Sequence, residues 1–229
     1  MSLPVMEFEA RLGEEFPKVN IAFGQEADVR AISRWRARKN SPSSVHDALE
    51  FARLASKRWR YYRHSIPSIA SISQFEREIR SSSNIELSFI LLAQADWFSA
   101  KTPLGLAQCR RTFCHHIILE FLAVHPRILL PANPRVRGIG AGLVGGICAL
   151  AEHLHVPLIW GEATAFSAPF YQNVFNLRDV NDHFFVNQTR VANSAARFRK
   201  EVAGRLFLEN VVSPTDSSSR DAERKNPPI

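Results

Sequence analysis

The segment Arg135-Val136-Arg137-Gly138-Ile139-Gly140-Ala141-Gly142-Leu143 limits most tightly what this chain can fold into. It follows an apolar run, Ile117 to Val124, that reads as a strand, and it opens a helical pattern that continues to about Leu154. A glycine-rich turn at a helix N-terminus leaves backbone N–H groups free to point at an anion, and the helix dipole adds to the attraction. Glycine has no Cβ to hold a phosphate away from the backbone. Arg135 and Arg137 add fixed positive charge in the same turn. These residues describe a pyrophosphate-binding element.

Two alternatives fit less of the segment. Gly140-Ala141-Gly142-Leu143-Val144-Gly145 satisfies the G-x-G-x-x-G spacing of dinucleotide-binding folds, with Glu162 near the expected ribose-binding position. That motif needs the strand to run straight into its first glycine, whereas Pro126, Pro131 and Pro134 intervene here. Small residues that merely permit close packing explain Gly145 and Gly146, but not two arginines beside Gly138 and Gly140.

Arg135-x-x-Gly138-x-Gly140 resembles the R/Q-x-x-G-x-G/A signature of the GNAT superfamily, the acetyl-CoA-dependent N-acetyltransferases. Upstream, Glu120-Phe121-Leu122-Ala123-Val124-His125-Pro126 looks like that family's fourth strand. Downstream, Leu158-Ile159-Trp160 looks like its fifth, and Ser167 to Phe175 resembles the helix that carries a Phe-Tyr pair. The ordered set covers residues 103–187. The chain departs from the family pattern in two places. Phe175-Asn176-Leu177 replaces the usual Gly-Phe after the tyrosine, and the loop from Pro126 to Pro134 is long.

The resemblance implies an α/β (α+β) fold, with a mixed, mostly antiparallel central sheet and helices on both faces. It implies transfer of an acetyl group from acetyl-CoA to an amine acceptor by direct attack in a ternary complex, without a metal. The cofactor contacts it implies are Leu122, Ala123 and Val124 on the strand, Arg135, Val136, Arg137, Gly138, Ile139, Gly140, Ala141 and Gly142 in the turn, and Ser167 at the start of the Phe-Tyr helix. Glu120 and Tyr171 are the implied catalytic base and acid.

The residues themselves leave alternatives open. Glu120 is a carboxylate in the middle of an apolar strand, placed either to accept a proton or to pair with an arginine such as Arg110 on a neighbouring strand. His125 is the other base candidate, or a turn residue before Pro126. Tyr171 either protonates a leaving thiolate or caps the core. Cys109, Cys114, His115 and His116 have no standard zinc spacing, and adjacent histidines on a strand point to opposite faces. No metal site is expected.

The net charge of +7 suits an anionic ligand such as coenzyme A. It also suits nucleic acid. Arg30, Arg34, Arg36, Arg38 and Lys39, then Lys57, Arg58, Arg60 and Arg63 with Trp59, Tyr61 and Tyr62, make a basic, aromatic N-terminal half. A nucleic-acid-binding module is therefore the reading from a different class, and a non-catalytic acyl-CoA-binding protein is a third. No helix-turn-helix, RNP or zinc motif supports the former. Three cysteines without disulfide spacing, no visible secretory signal and no apolar run of membrane-spanning length lead to a cytoplasmic expectation. The expected partners are acetyl-CoA and an amine acceptor, with no membrane; a homodimer is compatible.

One GNAT-like domain is expected over 1–212, divided into an acceptor-side half (18–100), an acetyl-CoA core (101–187) and a C-terminal helix and extension (188–212), before a disordered tail at 213–229. Hydrophobic spacing predicts strands at Val19–Phe23, Ile85–Ala93, Leu104–Thr112, His115–Val124, Pro157–Trp160, Arg178–Val180 and His183–Val186. It predicts helices over Glu26–Lys39, from a Ser44 capping box to about His64, over Ser71–Arg80 and over Asn187–Ala203, and an extended Arg205–Val212.

Overall fold

A computed structural model describes residues 5–99, 102–130 and 135–201. The expected extension at 205–212 and the tail at 213–229 lie outside them, as do Pro131 and Pro134 of the long loop. The chain builds one mixed, mostly antiparallel sheet with helices on both faces. The strand order is β1 (Met6–Glu9), β3 (Lys18–Phe23), β5 (Leu87–Gln94), β6 (Gly105–Arg111), β7 (Ile117–Val124), β9 (Leu158–Glu162) and β10 (His183–Asn187). β4 (Ser68–Ile69) adds in parallel beside β5. A separate ribbon pairs β2 (Arg11–Leu12) with β8 (Val136–Arg137).

The centre of the sheet is apolar on both sides. Phe89 and Leu91 of β5 face one layer, formed by α5 (Ile139–His153), α6 (Ala168–Phe175) and α7 (Gln188–Glu201). Ile90 and Leu92 face the other, where α1 (Glu26–Ile32) and α2 (Ser43–Tyr62) pack through Val29, Ile32, Leu49 and Trp59. This two-sided burial explains why β5 reads as a continuous apolar run. α4 (Pro126–Leu129) is a single turn that opens the long loop after β7.

Three local expectations are corrected. The first helix stops at Ile32 rather than Lys39, because the chain tightens through Arg34 N–H to Ala31 and Trp35 N–H to Ile32 so that Trp35 can enter the core, where it is 2% exposed. α2 has Pro42 at its N-cap with no side-chain cap, in place of the Ser44 box; proline already holds the φ that a helix start requires. Arg178–Val180 is not a strand, since β10 pairs with β9 and no described residue pairs with 178–180. The helix expected from Asn187 is α7, described as far as Glu201; the expected end at Ala203 lies outside the described residues. α3 (Ile72–Ser81) forms where expected, with Ser71 Oγ accepting the Gln74 N–H at 3.1 Å as its N-cap.

Asn176 accounts for the missing glycine after the tyrosine. It caps α6 at φ 52°, in the left-handed region, while the Leu177 N–H returns to the Gln172 carbonyl. Asparagine tolerates that conformation better than most residues and can serve where glycine is usual.

Candidate active site

β7 and β9 run parallel but stay together for only three residue pairs, ending at Leu119 opposite Gly161. A Cβ on Gly161 would stand 2.6 Å from the Leu119 carbonyl oxygen, so only glycine fits at the last point of contact. Beyond it β7 continues to Val124 with a partner, among the described residues, on the β6 side alone. The pairing with β6 shifts register at the same place: Gln108 faces Phe121, whereas Cys109 faces Leu119. Glu120 is thus the surplus residue of a β-bulge, which bends a strand and increases its twist. The His125 N–H bonds the Leu104 carbonyl. Antiparallel alternation then turns the backbone of Ala123 and Phe121 toward β6, and that of Leu122 and Val124 toward the gap.

The glycine turn lies between the end of β7 and α5. Gly138 is the N-cap of α5 at φ 91°, a conformation that strains any side chain, and nothing would touch a Cβ there. The next residues, Ile139, Gly140 and Ala141, begin the helix, where N–H groups have no intrahelical acceptor. Gly140 faces the Phe170 ring of α6, and a Cβ added there would stand 3.5 Å from it, in ordinary contact. Gly142 is explained by packing: its N–H is taken by the Gly138 carbonyl at 2.8 Å, and a Cβ would stand 2.2 Å from the Phe8 ring. Arg135 and Arg137 are exposed, and Val136 and Arg137 form the ribbon with Leu12 and Arg11. Arg11 is a cation at this turn that sequence reasoning missed.

Glu120 points to the α2 side. Its Oε1 accepts the Tyr62 hydroxyl at 2.9 Å and Arg110 Nε at 3.2 Å, with Arg58 at 3.7 Å. Arg58 also donates to the Tyr62 hydroxyl one helical turn away, and Arg110 bridges on to Glu86 at 3.0 Å. The Glu120 side chain is about one-tenth exposed, and its Oε2 is buried without a protein partner. The arginine pairing open at the sequence level is present, and it leaves one carboxylate oxygen unused.

Tyr171 lies in the opposite layer, stacked on Phe184 with ring centroids 4.2 Å apart. Burial, and secondarily Cys109, raises its phenol well above the ordinary range. Cys109 is itself fully buried, and burial first, then Glu120, pushes its thiol up. It is an inert core cysteine and no nucleophile. Ser167 precedes α6, where its Oγ accepts the Thr164 N–H at 2.9 Å. His125 is a poor base. Its ring is held edge-on by Trp35 and Phe98, its Nδ1 accepts the Arg127 N–H, and burial, then the Arg127 charge, pushes it down to about 4.

Among the described residues no group of three or more histidines, cysteines or acids could hold a metal. The His115 ring accepts from Arg111 and reaches the Leu154 carbonyl. Much of the basic N-terminal half is engaged locally: Arg63 with Glu26, Arg53 with Glu50, and Arg36 with the Ser33 and Trp35 carbonyls. No described helix is long and apolar enough to cross a membrane.

No family model and no curated protein matches the sequence. Solved structures do match at low identity. An acetyltransferase of the GNAT family from Staphylococcus aureus Mu50 is 11% identical, over 74% of this chain and 99% of its own, with a TM-score of 0.45. A nourseothricin acetyltransferase is 15% identical over 44% of this chain and 65% of its own, at 0.33. Tetrahymena GCN5 is 14% identical over 44% and 69%, at 0.32.

Proposed function

We propose that this chain is a GNAT-type N-acetyltransferase that binds acetyl-CoA across the gap between β7 and β9 and acetylates an amine. The observation that carries this reading is the coincidence of that gap with the glycine-rich start of α5. In such a complex the α5 turn, with Arg11, Arg135 and Arg137 around it, receives the pyrophosphate. The gap-facing backbone of Leu122 and Val124 offers hydrogen bonds to the extended pantetheine arm, as a third strand would.

The amine nitrogen attacks the thioester carbonyl carbon, and its surplus proton leaves toward Glu120 Oε2, directly or through water. The tetrahedral intermediate then expels the thiolate, the amide is formed, and the sulfur takes the Tyr171 proton. Burial keeps that phenol protonated until a thiolate develops, and the same dry surroundings raise the demand of the thiolate for a proton. No enzyme nucleophile is required.

Calorimetry with acetyl-CoA tests the cofactor half. Gly140→Glu puts a carboxylate into the first helical turn, which a helix tolerates well, at the place the pyrophosphate needs. Binding lost in a folded variant supports the assignment, and unchanged affinity refutes it. Release of free CoA across a panel of small amines, peptides and tRNA tests the transfer half. Binding without transfer to any acceptor would establish the non-catalytic acyl-CoA-binding alternative.

A further inference from the structure

We propose a second anion site, for a phosphate-bearing small molecule, in the cleft between the C-terminal end of α6 and the start of α7. The cleft has a volume of about 690 Å³, within the range of small-molecule sites. Three guanidiniums line it, Arg178, Arg190 and Arg197, and among the described residues no carboxylate does. Two of the arginines are held in place from behind: Arg190 donates to the Asn176 carbonyl at 2.6 Å, and Arg197 to the Val174 carbonyl. A guanidinium has five N–H donors, so Arg178 and Arg190 keep several for a ligand.

The remaining polar lining is rich in donors. Asn187 uses its Oδ1 to accept the Arg190 N–H, which leaves its amide nitrogen able to donate. Asn193 lines the cleft as well. Ser194 lines it too and adds a hydroxyl. The first turn of α7 carries no acid, so its N–H groups meet no negative side chain of their own helix. Clustered guanidiniums repel one another unless an anion sits among them.

This cleft is distinct from the α5 turn. Phe170, in the first turn of α6, faces Gly140, whereas the cleft begins at Phe175, the last residue of that helix, and continues beyond it. The proposal does not depend on acetyl transfer.

Inorganic pyrophosphate is the probe, measured by calorimetry on the full chain. Gly140→Glu blocks the α5 turn, so binding that persists in that variant reports the cleft. In that background Arg178→Gln should weaken binding by roughly tenfold or more, the loss typical of one charged hydrogen bond, and adding Arg190→Gln should weaken it further. Arg190 also ties down Asn176, so if the double variant does not fold, Arg178→Gln decides alone; Arg178 is exposed and holds nothing in place. Acetyl-CoA affinity should be unchanged by Arg178→Gln in the otherwise native chain. Abolition of pyrophosphate binding by Gly140→Glu alone, or equal affinity with and without Arg178, overturns the proposal. Citrate binding as tightly as pyrophosphate, with the same arginine dependence, would overturn the phosphate assignment in favour of a polycarboxylate.

Discussion

Arg11 stands directly opposite Arg137 in the two-residue ribbon that leads into α5. Like charges in a cross-strand pair are destabilising, and nothing in the fold requires two arginines there. Arg11 Nε is turned to the Gly13 carbonyl at 2.8 Å, which steadies one of the pair without neutralising it. A bound pyrophosphate would turn this repulsion into a clamp.

Replacing Arg11 or Arg137 by Gln should therefore lower acetyl-CoA affinity by about tenfold each. The same variants should be at least as stable as the parent without ligand, and the parent should gain stability with added salt as the repulsion is screened. Calorimetry and thermal melts at two ionic strengths measure both effects. Loss of stability without loss of affinity would make the pair structural.

Tyr171→Phe keeps the ring stacked on Phe184 and removes the proton donor. The expected loss falls on kcat, by roughly the 10²–10⁴-fold typical of a general acid, with acetyl-CoA affinity nearly intact. Initial rates together with a binding isotherm separate the two.

Glu120→Gln keeps an acceptor for Tyr62 and Arg110 and removes the base. Activity should fall most at low pH and recover partly as pH rises, because an amine with a free pKa near ~10 then loses its proton unaided. A merely structural Glu120 would lower the melting temperature and leave the shape of the pH–rate profile alone.

His125 is pushed down to about 4 in the folded chain against an ordinary 6.5. The unfolded chain then binds the extra proton first as pH falls, so folding stability is full above about 6.5 and is lost progressively toward 4. His125→Asn preserves the acceptor for the Arg127 N–H and removes the titration. It should flatten the acid limb of the stability curve by about 1–2 kcal/mol once partial solvent screening is allowed for. An unaltered slope in denaturant melts between about pH 4 and 7 would show that His125 does not control it.

The elements around the glycine turn were legible because each has a strong local signal. Ile117–Val124 is an uninterrupted apolar run, Ser71 caps its helix, and Gly138 through Gly142 cannot be mistaken for an ordinary helix start. What stayed hidden depends on distant partners. β2 has two residues, and Arg11 acquires meaning only through its register with Arg137. β1 pairs with β3 but is only four residues long. The Glu120 bulge is a mismatch between two strands and leaves no mark on either one alone. The early end of α1 follows from the burial of Trp35, which outweighs the helical pattern of the arginines beside it.

The bulge gives β7 one residue more than its pairing with β6 requires. Leu119 and Leu122 pack toward the α5 layer, while Glu120 and Phe121 both address the α2 side. Deleting Glu120 would restore simple alternation from Leu119 through Phe121 to Leu122, and every later side chain would keep its face. The shortened strand would be a more regular partner for β6, with less reason to part from β9. The bulge thus adds a carboxylate to the α2 side, within reach of Tyr62 and Arg110, without changing the face of any later residue of the strand.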